Sequence, residues 1–249
     1  MKKITNIGII TFMVLAVISF SALASGSGLS TDQIMLSYVD FNASDVTLDG
    51  KADETGFFTF TITTNNGKVI NVAFRQNGED MHVVLTSTNQ GWLAIGWHNS
   101  KPSSTSGAGP MVDANIITGG NNVARDDTGS YATHSADTTN NIINYTSTVD
   151  SSGAKFEFLF PLASTDSVDQ PLKVKDYGYF IFAAGISADI EDAHSGSQQA
   201  WYVPNVYIQS SDKEAYVKPS GGGSAPFADP TIILASLAVV AVFTKLKKK

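Results

Sequence analysis

The side chains able to do chemistry are few, and their meaning depends on where the chain puts them. The sequence of 249 residues has no cysteine, four histidines, five methionines and three tryptophans. Without thiols there is no disulfide, no thiolate metal site, no iron–sulfur cluster and no thioether-linked haem. The stretch "GAGPMVDANIITGG" (107–120) sets Met111 and Asp113 behind a Gly/Pro run at the mouth of an apolar strand. That thioether is either a gap-filling core group or a soft ligand to something bound. His194 stands in the polar loop of "EDAHSGSQQAW" (191–201), and His98 directly follows the strand-like "GWLAIGW" (91–97). His82 and Met81 are adjacent in the alternating run "MHVVL", so they face opposite ways and cannot meet one ligand; His82 reads as structural. His134 follows a polar turn and is expected to be exposed.

Trp92, Trp97 and Trp201 suit a sandwich core, although Trp97 or Trp201 could instead be the stacking platform for a pyranose ring. Two acidic groups, Asp189, Glu191 and Asp192 with Asp126 and Asp127, could hold Ca²⁺ or simply face water. There is no nucleophile elbow, no histidine pair at helical spacing and no Gly-rich phosphate loop. These absences weigh against catalysis.

The elements that must position these residues are short. Runs such as "FFTFTIT", "KVINVAFR", "MHVVLTST", "NIINYTSTV", "AKFEFLF" and "YGYFIFAAG" alternate between turn pairs such as Asp49-Gly50, Asn66-Gly67 and Ser152-Gly153. Phe156, Phe158 and Phe160 mark one stripe; Tyr177, Tyr179 and Ile181 mark another. No amphipathic helix of three turns is visible, so the fold class is all-β, a β-sandwich. Residues 1–24 read as a signal peptide, 25–33 as a polar leader, 34–215 as the domain and 216–229 as a Gly/Ser-rich linker. Residues 230–249 read as a hydrophobic anchor or sorting signal with a lysine tail, which predicts an exported domain held at the cell surface. All 23 acidic residues fall between these ends, against ten basic ones, a net of −13 that excludes nucleic acid as a natural partner.

Trp92, Ala94, Ile95, Gly96 and Trp97, followed by Met111, Asp113 and Ala114, then "FLFPLASTD" (158–166) and "YFIFAAG" (179–185), resemble the DOMON family. The resemblance spans about residues 34–210 and rests on the order and spacing of these motifs. It implies an immunoglobulin-like antiparallel β-sandwich that holds a b-type haem or a sugar. In the haem-binding members iron sits between Met and His. Met111 matches the family's Met position, and His194 falls in the loop that carries the His, with His98 as fallback. Trp92 and Trp97 would then line the haem. Filling both axial positions favours electron transfer, with a redox partner at the membrane or cell surface. The alternative is a carbohydrate-binding or adhesion module on the same sandwich, without haem and with Ca²⁺ as an optional ion.

Overall fold

The computed structural model describes residues 34–212 except 64–66, 105–108, 132, 165 and 193–199, and except the side chains of residues 200, 201 and 204. The predicted signal peptide, leader, linker and anchor lie outside the described residues. The alternating runs form twelve strands: β1 (Met35–Tyr38), β2 (Phe58–Thr63), β3 (Val69–Gln76), β4 (Asp80–Ser87), β5 (Leu93–His98), β6 (Asn115–Gly119), β7 (Ala124–Gly129), β8 (His134–Ala136), β9 (Asn144–Asp150), β10 (Gly153–Pro161), β11 (Tyr177–Ala184) and β12 (Ala200–Ile208). They make the expected all-β sandwich. The first sheet runs β8-β7-β6-β5-β11-β12-β1, and the second runs β1-β3-β4-β10-β9 with β2 also on β3.

Strand β1 belongs to both sheets. Met35 and Leu36 pair with β12, whereas Ser37 and Tyr38 pair with β3, and both pairings are parallel. Every other pairing is antiparallel. A strand that switches sheets makes the corner of a sandwich.

Alternate side chains of the two sheets meet in an aromatic core. Trp97 and Phe160 lie 5.2 Å apart between ring centroids, Phe60 and Phe182 5.7 Å, and Phe74 and Phe180 6.0 Å. Each pair joins one sheet to the other, at separations where edge and offset contacts of rings are favourable. The Phe156–Phe158–Phe160 stripe is only partly what its spacing implies. Phe156, Phe158 and Phe160 are all buried inward, and Glu157 and Leu159 between them are buried too, on the outer face of the second sheet.

The segment before β2 covers that outer face, and a chain of polar contacts fastens it. The Glu157 carboxylate accepts the backbone N–H of Asp49 (2.8 Å) and Gly50 (2.7 Å), where Gly50 takes the left-handed φ of 74° that the Asp-Gly turn requires. Its other oxygen lies 2.7 Å from His82 Nε2, while His82 Nδ1 accepts from Arg75 Nε at 3.1 Å. The ring is thereby held with its proton on Nε2, donating to Glu157. Arg75 donates to the carbonyl of Thr55 and sits over the rings of Phe57 and Phe41, 4.6 and 5.0 Å from their centroids. Met81 points into the core and His82 out under this strap, so His82 is structural, as its alternation with Met81 predicts.

Because Glu157 and His82 are fully buried, removing one partner leaves uncompensated polar atoms. Glu157→Gln, which cannot accept at both oxygens, is expected to cost about 3–5 kcal/mol. In a thermal melt that is a fall of roughly 6–20 °C for a domain of this size, and a change within 2 °C would contradict it.

Candidate ligand-binding face

The candidate site is built on the outer face of the first sheet. Burial of Phe180 and Phe182 turns Tyr177, Tyr179, Ile181 and Ala183 of β11 outward, all half-buried. On β12, Tyr207 pairs with Tyr177 and Tyr202 with Ile181, so these two tyrosines share that face. On β5 the same face carries Ala94, Gly96 and His98, which pair with Ala183, Ile181 and Tyr179. A Cβ on Gly96 would lie 2.9 Å from side-chain carbons of both Ile116 and Ile181, so only glycine lets these two close over the strand.

Two zones result. One is apolar: buried Trp92, Ala94, Ala114, Ile116 and Ile190, with Met111, Ile181 and Ala183 packed against them. Trp92 Nε1 donates to the carbonyl of Asp192 at 2.8 Å, tying the chain after β11 to this cluster. The other zone is a row of tyrosines. Tyr177 and Tyr207 have ring centroids 5.5 Å apart. Tyr179 falls where the β11–β12 register shifts, opposite Pro204, which has no N–H to pair, and Asn205, whose φ is 58°. The Tyr202 hydroxyl is buried without a partner among the described residues, and burial, with Tyr179 adding, pushes it up to about 12. At the end of this row a cavity of about 160 Å³ is lined by Asn99, Pro171, Leu172, Lys173, Asp176 and Tyr177.

The residues singled out in the sequence do not all gather here. Met111 ends a single 3-10 turn, Gly109–Met111, and is half-buried on the apolar cluster beside Trp92. His194 lies outside the described residues, as do residue 193 and the side chain of Trp201. Trp97 is a correction. It stands five residues from Trp92, an odd step along an extended chain, and so points through the sheet into the core. There it is 2% exposed, and its Nε1 donates to Gln170 O at 2.8 Å. It cannot line one ligand together with Trp92 and Met111, and it offers no face to a sugar. His98 is buried, with Nε2 2.8 Å from Pro110 O, pinning the turn that carries Met111 to the end of β5.

His134 is also not where its polar turn suggested. It is half-buried, with Nδ1 2.8 Å from an oxygen of Asp127 and its ring edge-on to Trp92. Asp127 is buried and also receives Arg125 Nε at 2.5 Å. Asp126 and Asp127 do not form one acidic site, because adjacent residues of β7 face opposite ways. Asp126 points inward to Asp137 and Asp169. Asp189 and Asp192 cap their own loop, accepting from Glu191 N and Ser187 Oγ, and Glu191 pairs with Arg125. The tyrosine row was the feature most easily missed. Tyr177 and Tyr179 alternate visibly, but alternation alone does not say which stripe faces the core.

No family model and no curated protein matches the sequence. Solved structures that resemble the fold include a family 9 carbohydrate-binding module from Caldicellulosiruptor kristjanssonii in complex with cellotriose, at 10% identity and a TM-score of 0.45. The same organism's family 9 module in complex with glucose matches at 11% identity and a TM-score of 0.45. Each match covers 75% of this chain and 99% of the other. At that distance the likeness adds nothing to the architecture that strand pairing already establishes, and it identifies no ligand.

Burial, with the charges of Asp169 and Asp137 adding, raises the Asp126 carboxyl to about 7. The unfolded chain ionises first, near pH 4, so in chelator-treated protein this group subtracts stability progressively between about pH 4 and pH 7. Asp126→Asn is expected to flatten that decline, measured as the difference in melting temperature between pH 5 and pH 8. Equal declines in the two proteins would contradict it.

Proposed function

We propose that the domain is a binding module rather than a catalyst, and that its outer tyrosine face receives a glycan. The carrying observation is the cavity at the end of the row, lined by Asn99, Lys173 and Asp176 together with Pro171, Leu172 and Tyr177. A pyranose presents hydroxyls that a few placed polar groups can meet, and the half-buried Tyr177 and Tyr179 beside the cavity supply aromatic surface for its apolar ring face. The cavity volume suits a single sugar unit, and Tyr179 and Tyr202 continue the surface beyond it. The leader and tail segments fit a module displayed outside the membrane, with the linker giving it reach.

Binding is tested by screening the full-length chain against a glycan array and titrating the hits calorimetrically. Tyr177→Ala and Asn99→Ala are each expected to weaken binding at least about tenfold, equivalent to about 1.4 kcal/mol. Absence of any glycan binding, or unchanged affinity in both variants, would overturn the proposal.

A second reading rests on the sequence motifs. Met111 packs on the same apolar cluster as Ile190, and Trp92 Nε1 donates to the carbonyl of Asp192; His194 itself lies outside the described residues. The sequence resemblance to haem-binding DOMON members is what supports this reading, a b-type haem held by Met111 and His194 and exchanging electrons with a partner at the cell surface. The visible spectrum of haem-supplied protein decides it. The reading expects a low-spin spectrum that is lost in Met111→Ala and in His194→Ala; no Soret band above background removes it.

A further inference from the structure

We infer that Asp126, Asp137 and Asp169 form a Ca²⁺ site at the end of the sandwich, on residues that do not line the proposed ligand cavity. One carboxylate oxygen from each lies within 4.8 Å of the others. Two oxygens bound to one Ca²⁺ at about 2.4 Å can be no farther apart than that. The three residues come from different segments: Asp126 from β7, Asp137 from just after β8, and Asp169 from the loop before β11.

Orphaned polar atoms point to a missing ligand. Asp126 is 2% exposed and Asp169 6% exposed, and each has one oxygen, Oδ1, without a hydrogen-bond partner among the described residues. Their other oxygens are occupied: Asp126 Oδ2 accepts Asn141 N at 3.0 Å and Asp169 Oδ2 accepts Asn141 Nδ2 at 2.6 Å. Asn115 is fully buried, and neither atom of its amide has a partner among the described residues. Its register against Thr128, with Ile117 against Asp126, puts Asn115 diagonal to Asp126 on the inner face. There its carbonyl oxygen is a neutral ligand of the kind Ca²⁺ uses. Burying such oxygens unsatisfied is costly, and a hard cation satisfies Asp126 Oδ1, Asp169 Oδ1 and the Asn115 carbonyl together.

The other three-group cluster, Glu54, His82 and Glu157, shows the contrast. There Arg75 supplies the positive charge and backbone N–H groups occupy Glu157. Among the described residues no ion pair neutralises Asp126, Asp137 or Asp169. An all-oxygen, carboxylate-rich set selects Ca²⁺ over Zn²⁺, and its irregular, partly neutral composition suits Ca²⁺ better than Mg²⁺. Bound there, the ion would anchor Asp169 beside Gln170, whose carbonyl holds Trp97 and whose amide holds Asp113 O.

The test is calorimetric titration of the chelator-stripped full-length chain with CaCl₂, together with thermal melts. One Ca²⁺ per chain is expected, with a Kd no weaker than about 1 mM, a rise in melting temperature, and weaker binding of Mg²⁺. Asp126→Asn and Asp169→Asn should still fold, melting at or above the parent in chelator because each removes a buried charge. Both should bind Ca²⁺ at least tenfold more weakly and lose the Ca²⁺-dependent rise. No binding up to about 10 mM Ca²⁺, equal binding of Mg²⁺, or parental affinity in both variants would overturn the assignment.

Discussion

The register of β11 is the constraint on which the rest depends. Phe180 and Phe182 are locked between the sheets by Phe74, Trp97 and Phe60, and this fixes every other side chain of the strand. A one-residue slip would send the phenylalanines to solvent and the tyrosines into the core. The aromatic core therefore does two things at once. It holds the sheets together, and it displays Tyr177, Tyr179 and Ile181 on the far side, beside Gly96 of β5. The odd spacing of Trp92 and Trp97 follows the same rule, with one ring on each face of the first sheet.

The two faces of the molecule treat buried polarity differently. On the second sheet, Glu157, His82 and Arg75 are satisfied side by side, and their role is to strap the Asp49–Thr55 segment over apolar strands. At the end of the first sheet, Asp126, Asp169 and Asn115 keep atoms without a partner among the described residues. The first arrangement keeps one unpartnered oxygen, Glu54 Oε2, but Arg75 supplies its positive charge. The second asks for a cation, and its loop leads directly into the residues that line the sugar-sized cavity.

Much of this was legible in the sequence and some was not. The β class, the turn at Gly50, the structural role of His82 and the core stripe of Phe156, Phe158 and Phe160 follow from alternation and turn chemistry. The place of Trp97 in the core rather than against a ligand is not legible in its motif, because a motif gives order along the chain and not the side of a sheet. His134 was misread because its partner, Asp127, arrives only through the β7–β8 hairpin. Asp126 and Asp127 looked like one acidic site, although period-two geometry divides them. The cluster that does form needs Asp169, 43 positions beyond Asp126, and no local pattern announces it.

The central claim is that the tyrosine face of the first sheet is where the ligand binds. Its most direct test is NMR of tyrosine-labelled protein during titration with a glycan hit. The account predicts shifts at Tyr177, Tyr179 and Tyr202, with Tyr145 on β9 of the second sheet unmoved. Shifts centred on Tyr145, or bound glycan that leaves Tyr177, Tyr179 and Tyr202 unperturbed, would contradict it.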